Sequence, residues 1–202
     1  MELYILRHGE TIWNKEGRLQ GNTDISLNEA GRAVARITGE ALKDTAIDKI
    51  YTSPLSRAYE TACLIRGDRD IEIIRDERLR ELCFGDLEGQ IIRDMKADPT
   101  SRFQNFFEAP EKYVPDDKGE RLEELCRRTA EFMEEVILPQ ADKLHRVMIV
   151  GHGAMNKGIM CYIKQHGIDM FWSGGVQRNC NVIIADYTEG RFSVLEEEKV
   201  YY

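Results

Sequence analysis

The stretch that decides the fold is LYILRHGETIWN, Leu3 to Asn14, in which an apolar run ends abruptly at Arg7, His8 and Gly9. Consecutive apolar residues are typical of a short strand that is buried on both faces of a parallel sheet. A cation, an imidazole and a flexible backbone then follow in consecutive positions. We interpret this pattern as a strand that delivers His8, beside a positive charge, to a ligand-binding edge.

The rest of the chain alternates apolar strand-like runs with amphipathic helical patterns. Ser26 with Glu29 predicts a capping box, and Ser53 with Pro54 predicts another helix start. This alternation predicts a three-layer α/β/α sandwich with a mostly parallel central sheet and an antiparallel strand at one edge. The later predicted strands cover 47–53, 71–76, 146–151, 181–187 and 191–197, and the predicted helices cover 26–42, 53–65, 119–138 and a stretch from about Ala154.

Composition limits the classes of function. A net charge of -8 argues against a broad nucleic-acid surface, and the short apolar runs predict no membrane span. Five scattered cysteines without a CxxC pair indicate reduced thiols rather than disulfides. We therefore expect one cytoplasmic domain over residues 1–202, without a leader, a nucleic-acid partner or a membrane partner.

Polar residues follow three of the predicted strands. Arg7 and His8 follow the first, Arg57 lies in the first turn of the helix after the second, and His152 stands between glycines after 146–151. Ligands of such sheets bind beyond the carboxyl ends of the strands, so these groups are expected to converge. Two guanidinium groups and two imidazoles around one point would bind a phosphoryl group.

The motifs LRHGETIWN, RLQGNTDISLNEAGR, YTSPLSRAYETA, LRELCFGDLEG and VGHGAMNK together resemble the histidine phosphatase superfamily, on its phosphoglycerate mutase-like branch. The resemblance implies that His8 is a nucleophile that carries a transient phosphohistidine. It implies that Glu81 is a general acid and then a base, which predicts activity that is highest at acid to neutral pH. Arg7, Arg57 and His152 match the phosphate-binding residues of the family, and Asn14, Gly21 and Gly153 match positions that line the pocket.

The family contains both phosphatases and mutases. The mutases that this branch resembles carry a long insertion with adjacent arginines, whereas here a short lid-like segment at about 90–119 has none. Its prominent residues are Phe103, Phe106, Phe107 and Tyr113, which either pack as a short helix on the core or contact substrate. We favour a metal-independent phosphatase that needs no cofactor and acts on a small-molecule phosphate ester. A phosphoglycerate mutase and a phospho-ligand-binding module without turnover are the alternatives.

Two rival chemistries are also considered, a cysteine-dependent phosphatase and a metal hydrolase. Cys63 and Arg69 have the C-x5-R spacing of cysteine-dependent phosphatases, but Cys63 falls inside a predicted helix, where an inert thiol is expected. A metal hydrolase would use His8, His152 and Glu81 as ligands, although no HxxH or HExxH spacing supports it. The physiological substrate and the oligomeric state stay open, and so does the role of the FWSGGVQRN stretch.

Overall fold

One six-stranded mixed sheet organises the computed structural model, which describes residues 1–202. The strands lie in the order β3-β2-β4-β1-β5-β6. The pairs β3/β2, β2/β4 and β4/β1 are parallel, whereas β1/β5 and β5/β6 are antiparallel, so the predicted mostly parallel sheet with an antiparallel edge is confirmed. The strand bounds are β1 Glu2–Arg7, β2 Lys49–Thr52, β3 Glu72–Arg75, β4 Arg146–Gly151, β5 Val182–Thr188 and β6 Arg191–Lys199.

Helices cover both faces of this sheet. On β1, Leu3 and Ile5 belong to a core cluster of 27 residues, while Tyr4 and Leu6 belong to a second cluster of 12 on the opposite face. This alternation follows from the two-residue period of a strand and explains the continuous apolar runs of the sequence. The helices are α1 Ile12–Glu16, α2 Glu29–Ala41, α3 Ser56–Arg66, α4 Ile92–Ala97, α5 Gln104–Glu108, α6 Leu122–Phe132 and α7 Gly153–Lys164.

Two helix starts predicted from the sequence are wrong. Helix α2 begins at Glu29 with Asn28 as its N-cap, not Ser26, because the Asn28 side chain accepts the Gly31 N–H at 2.8 Å. Helix α3 begins at Ser56 rather than after Ser53. Its first N–H is satisfied by Asp24, whose carboxylate accepts from the Ser56 amide at 2.8 Å. A distant side chain therefore does the capping that sequence reasoning assigned to a local serine.

The predicted helix at 119–138 is interrupted. Helix α6 ends at Phe132, and a π-helical turn over Met133–Ile137 and a 3-10 turn over Leu138–Gln140 follow it. Pro139 has no N–H to donate, so a regular helix does not continue through it. The apolar spacing over 119–138 predicts seven inward-facing residues, of which Leu122, Leu125, Thr129, Met133 and Ile137 are buried, whereas Cys126 and Val136 are half-buried.

The segment at about 90–119 forms α4, α5 and a 3-10 turn at Pro110–Lys112. Phe106 lies at the centre of its aromatic cluster, with ring centroids 5.1 Å from Phe84 and 5.0 Å from Tyr113. The Trp172 indole N–H donates to the Phe106 carbonyl oxygen. Phe103, Phe106 and Tyr113 are therefore packed on the core, as one of the two predictions expected, and Phe106 and Phe107 also border the pocket described below.

The two edges of the sheet are unlike. Strand β6 has nine residues and a pairing with β5 that shifts register on both sides of Ile184, and its exposed end carries Glu196, Glu198 and Lys199. Strand β3 has only four residues. None of the helices has the length and apolar character needed to cross a bilayer.

Two glycines allow α2 to pack against the loop after β1. A Cβ atom at Gly31 would lie 2.2 Å from the Glu10 carbonyl oxygen, and one at Gly9 would lie 2.7 Å from the Gly31 carbonyl oxygen. Both contacts are with backbone, which cannot swing aside as a side chain does. The loop that follows His8 is therefore fixed by a contact that only glycine permits.

We predict that Gly31→Ala destabilises the fold. Helix propensity alone would favour alanine by about 1 kcal/mol, whereas overpacking against Glu10 should produce a net loss of about 2 kcal/mol. Urea unfolding measures the difference. The exposed Ala33→Val on the same helix is the control and should cost less than about 1 kcal/mol. Unchanged or increased stability of Gly31→Ala would show that this backbone contact is not tight.

Candidate active site

The side chains predicted to converge meet beyond the carboxyl ends of β1, β2 and β4. His8 and His152 are buried with ring centroids 5.2 Å apart. Arg57 is fully buried in the first turn of α3, and Arg7 is partly exposed. Strands β1 and β4 are direct neighbours, which is why residues so distant in sequence lie together.

Main-chain carbonyls hold the Arg57 guanidinium group. Nη1 donates to the Thr23 carbonyl oxygen at 2.8 Å, and Nη2 donates to the Gly21 carbonyl oxygen at 2.6 Å. Gly21 has a φ of 55°, and a Cβ there would meet the Glu88 carboxylate, so glycine is required. Burial lowers the pKa of Arg57 to about 10, which leaves its positive charge intact at neutral pH.

The loop that holds Arg57 is itself fixed by Glu88. The Glu88 carboxylate accepts the Asn22 N–H at 2.9 Å, the Thr23 N–H at 2.8 Å and the Phe84 N–H at 3.1 Å. One carboxylate therefore joins the loop after α1 to the segment that carries Glu81. Glu88 has no direct place in the predicted chemistry, and nothing in the sequence motif alone distinguished it from a surface carboxylate.

Arg7 is held in the same way from another loop. Its Nη1 donates to the Gln177 carbonyl oxygen at 2.6 Å. The Nε atoms of Arg7 and Arg57 are buried and have no hydrogen-bond partner in the protein. Buried donors without partners are costly, so an anion bound between them would remove that cost.

The His8 ring is held in one tautomer. Its Nδ1 lies 2.7 Å from the Gly9 carbonyl oxygen. Since a carbonyl only accepts, Nδ1 carries the proton, and Nε2 keeps its lone pair. Burial, together with the positive charges of Arg57 and Arg7, lowers the pKa of His8 well below 6.5, so the ring is neutral near pH 7. The Asn179 side-chain amide donates to the His8 carbonyl oxygen at 2.8 Å and fixes the backbone.

His152 presents open hydrogen-bonding groups beside His8. It is fully buried, and neither of its ring nitrogens has a partner. Burial is the main cause that lowers the pKa of His152 well below 6.5, and the charge of Arg57 adds to it. A neutral imidazole always has one N–H, so His152 can donate to an anion in the tautomer whose N–H faces the site.

Glu81 is positioned by the N-terminus of α7. Its Oε1 accepts the N–H groups of Leu82 and Met155, both at 2.9 Å, and its Oε2 accepts the Ala154 N–H at 3.1 Å. A Cβ at Gly153 would lie 3.7 Å from Glu81 Oε2 and 3.8 Å from Arg7 Nε, so Gly153 stands between the acid and the guanidinium group. The glycine keeps that space open for a ligand.

These groups border a cavity of about 100 Å³. Arg7, His8, Arg57 and Glu81 line it together with the other predicted positions Asn14, Gly21 and Gly153, while His152 lies against His8. The Asn14 Oδ1 accepts a hydrogen bond from the Thr11 N–H at 3.1 Å, which leaves the side-chain N–H donors of Asn14 free. The remaining wall is apolar and is formed by Leu19, Phe84, Ile92, Phe106, Phe107, Ala154, Trp172 and Val176, with Arg18 and Gln20 at its polar side.

Sequence reasoning did not identify three supporting residues of this site. Gln177 and Asn179 bond to Arg7 and His8, so the FWSGGVQRN stretch borders the pocket and does more than connect elements. Its paired glycines and polar side chains just before a strand were the available signal. The third residue is Glu88.

The residues of the two rival chemistries are not arranged for those reactions. Cys63 lies within α3, and the Arg69 guanidinium already donates to carbonyl oxygens of Leu42, Ile65 and Arg66. No group of three or more His, Cys, Asp or Glu side chains is arranged to hold a metal ion. The site is therefore built from donors that suit an oxyanion.

Comparison with known sequences gives the same family over almost the whole chain. The model of the histidine phosphatase superfamily (branch 1) matches residues 3–199. Phosphoserine phosphatase 1 of Hydrogenobacter thermophilus is 30% identical over 97% of this chain and 91% of its own. A 2,3-bisphosphoglycerate-dependent phosphoglycerate mutase of Parvibaculum lavamentivorans is 36% identical over 75% of this chain and 74% of its own.

One solved structure has a closely similar fold. YhfR of Bacillus stearothermophilus superposes with a TM-score of 0.90 and 36% sequence identity, covering 99% of this chain and 98% of its own. The likeness therefore extends to the closing strands and the 90–119 segment.

The two buried neutral imidazoles predict a stability that depends on pH. Because their pKa values are lowered in the folded state, the unfolded chain binds more protons below about pH 6.5. The contribution of these two imidazoles to stability is therefore constant above that pH and falls as the pH decreases. Without phosphate or sulfate, wild type should lose about 2.5 kcal/mol more between about pH 7.5 and 5.5 than a His8→Asn/His152→Asn variant.

Urea unfolding at each pH measures this difference. The control is His145→Asn/His166→Asn, which removes two histidines that lie outside the core and should keep the wild-type pH dependence. If the His8/His152 variant showed the same decline as wild type, the imidazoles would not be neutral in the folded protein.

Proposed function

This chain belongs to the histidine phosphatase superfamily and is an enzyme of the phosphatase type, and we propose that it hydrolyses small phosphomonoesters through a phosphohistidine on His8. The observation that carries the proposal is the set of buried unpartnered groups, Arg7 Nε, Arg57 Nε and both His152 nitrogens, beside the free Nε2 of His8. The two Nε–H groups and the one N–H of neutral His152 are donors that complement the oxygens of a phosphoryl group.

The first half-reaction transfers the phosphoryl group to the enzyme. His8 Nε2 attacks phosphorus, so the N–P bond forms as the bond to the ester oxygen breaks. Arg7, Arg57 and His152 stabilise the charge on the three non-bridging oxygens. Glu81 donates its proton to the departing alkoxide, which leaves as a neutral alcohol.

The second half-reaction regenerates the enzyme. Water attacks the phosphohistidine, and Glu81, now a carboxylate, accepts the proton from it. The N–P bond breaks, and phosphate leaves with His8 returned to its neutral form. No metal and no cofactor is needed, because the positive charge that phosphoryl transfer requires is supplied by the two guanidinium groups.

The wall around the leaving group favours an apolar alcohol over a carboxylic acid. Phe106, Phe107 and Trp172 form much of it. Arg18 is already paired, with Nε 2.6 Å from Glu16 Oε2, and the Lys96 ammonium lies 3.9 Å from the centroid of the Phe107 ring. These two cations are thus each engaged with a protein group, whereas a phosphoglycerate mutase would direct a cation at the substrate carboxylate.

A mutase remains the second candidate, because a relative of similar identity is named as a phosphoglycerate mutase. The two functions share the phosphohistidine and differ in whether water or a second alcohol accepts the phosphoryl group. Incubation with 3-phosphoglycerate distinguishes them, since a mutase produces 2-phosphoglycerate and a phosphatase produces inorganic phosphate.

We predict that His8→Ala abolishes hydrolysis of 4-nitrophenyl phosphate in the presence of a chelator, by at least about 10³-fold in kcat. Wild type should keep its activity under the same conditions and should show phosphoryl incorporation at His8 by mass spectrometry after acid-free quenching. The matched control is His145→Ala, which removes an exposed histidine and should have no effect. Activity of His8→Ala close to that of wild type would show that His8 is not the nucleophile.

We also predict a preference for apolar esters that depends on Phe107. Wild type should have a kcat/KM for benzyl phosphate about 10-fold higher than for phosphoserine, because the aromatic wall buries the leaving group. Phe107→Ala should remove most of that ratio, whereas Phe192→Ala, at a half-buried phenylalanine on β6, should keep it. If wild type preferred phosphoserine, the proposed preference of the pocket for an apolar leaving group would be wrong.

A further inference from the structure

An ion pair outside the pocket fixes the main chain that carries Glu81. Arg128 of α6 and Glu120 are both largely buried, with side-chain exposures of 16% and 17%. The Arg128 Nε donates to Glu120 Oε1 at 2.6 Å, and its Nη2 donates to Glu120 Oε2 at 2.9 Å. Neither residue borders the cavity, and the reaction steps use neither.

The remaining donors of Arg128 bind the segment before the acid. Its Nη1 donates to the carbonyl oxygens of Arg78 and, at 2.8 Å, Arg80, and its Nη2 donates to the Glu81 carbonyl oxygen at 3.2 Å. This arrangement needs the planar fork of a guanidinium group, since one ammonium cannot reach the three carbonyls and a carboxylate together.

Glu120 binds the same segment just after the acid. Its Oε2 accepts the Cys83 N–H at 3.3 Å, and its own N–H donates to the Cys83 carbonyl oxygen at 2.8 Å. The pair therefore holds the main chain on both sides of Glu81. Residues 80–84 belong to no helix or strand, so these bonds replace those that regular structure would provide.

The Glu81 carboxylate is held from the opposite direction by the amides at the start of α7. The acid thus spans α6 and α7, with its backbone anchored to one helix and its carboxylate to the other. Loss of the α6 anchor would leave the backbone free to shift while the carboxylate keeps only its contacts with the amides of Leu82 and of α7. A displacement of about 1 Å at a proton donor costs roughly 10²-fold in rate.

We propose that Arg128, through its ion pair with Glu120, is a positioning residue for the general acid Glu81. The proposal rests on the proposed function, in which Glu81 protonates the leaving group. It predicts a specific defect: proton donation should fail while phosphate binding and attack by His8 persist.

The experiment compares kcat/KM for 4-nitrophenyl phosphate and benzyl phosphate, which reports events up to formation of the phosphohistidine. Both leaving groups contain an aromatic ring. Nitrophenolate is a weak base and leaves without a proton, whereas benzyl alkoxide is a strong base and must be protonated as it leaves. Arg128→Met should lose about 30-fold or more on benzyl phosphate and less than about 3-fold on 4-nitrophenyl phosphate. The control is Arg127→Met, which removes the neighbouring arginine, whose side chain is 68% exposed, and should keep both values.

A second variant keeps the test decisive if Arg128→Met does not fold. Arg128→Lys retains the charge opposite Glu120 but not the fork, and it should show the same selective loss at a smaller magnitude. Equal losses on the two esters, or no loss on either, in a folded variant would overturn the proposal.

Glu81→Gln, measured in parallel, separates this proposal from the function on which it rests. If Glu81→Gln shows the selective loss and the Arg128 variants do not, only the positioning role is wrong. If Glu81→Gln loses no more on benzyl phosphate than on 4-nitrophenyl phosphate, the general-acid role itself fails, and the positioning role with it.

Discussion

The structure depends on keeping positive charge buried without cancelling it. Arg7 and Arg57 are held by the carbonyl oxygens of Gln177, Gly21 and Thr23 rather than by carboxylates bonded to them. A carbonyl orients a guanidinium group through its dipole and leaves the net charge available, whereas a paired carboxylate would compete with an incoming anion. This choice allows a chain with a net charge of -8 to maintain a local site for phosphate esters.

Holding cations with backbone requires loops with fixed shapes, and much of the fold serves that requirement. Acidic side chains at a distance from the reacting atoms do the fixing: Glu88 binds the loop under Arg57, and Glu120, with Arg128, binds the segment of Glu81. The many carboxylates of the chain are therefore not all surface charge. Some of them replace the hydrogen bonds that irregular backbone would otherwise lack.

The sequence predicts those features that depend on residues close together in the chain, and it does not predict those that depend on contacts between distant residues. The apolar run before Arg7 and the one before His152 identify buried strands, and the rule that ligands bind at strand ends brings the two residues together without any structure. The start of α3 was misplaced because its cap, Asp24, is distant in sequence. Arg128 was missed for the same reason, since in a run of charged residues only tertiary contacts distinguish a buried arginine from an exposed one.

The two edge strands of the sheet disfavour pairing with a strand of another chain. Strand β6 offers its outer edge to solvent, but its register shifts and the charges of Glu196, Glu198 and Lys199 make a poor template for another chain. Strand β3, at the far side, has only four residues, and Glu72 at its start pairs with Lys49. Edge-to-edge aggregation is therefore disfavoured at both ends, so the chain is expected to tolerate high concentration and transient opening of its helices without forming extended β-assemblies.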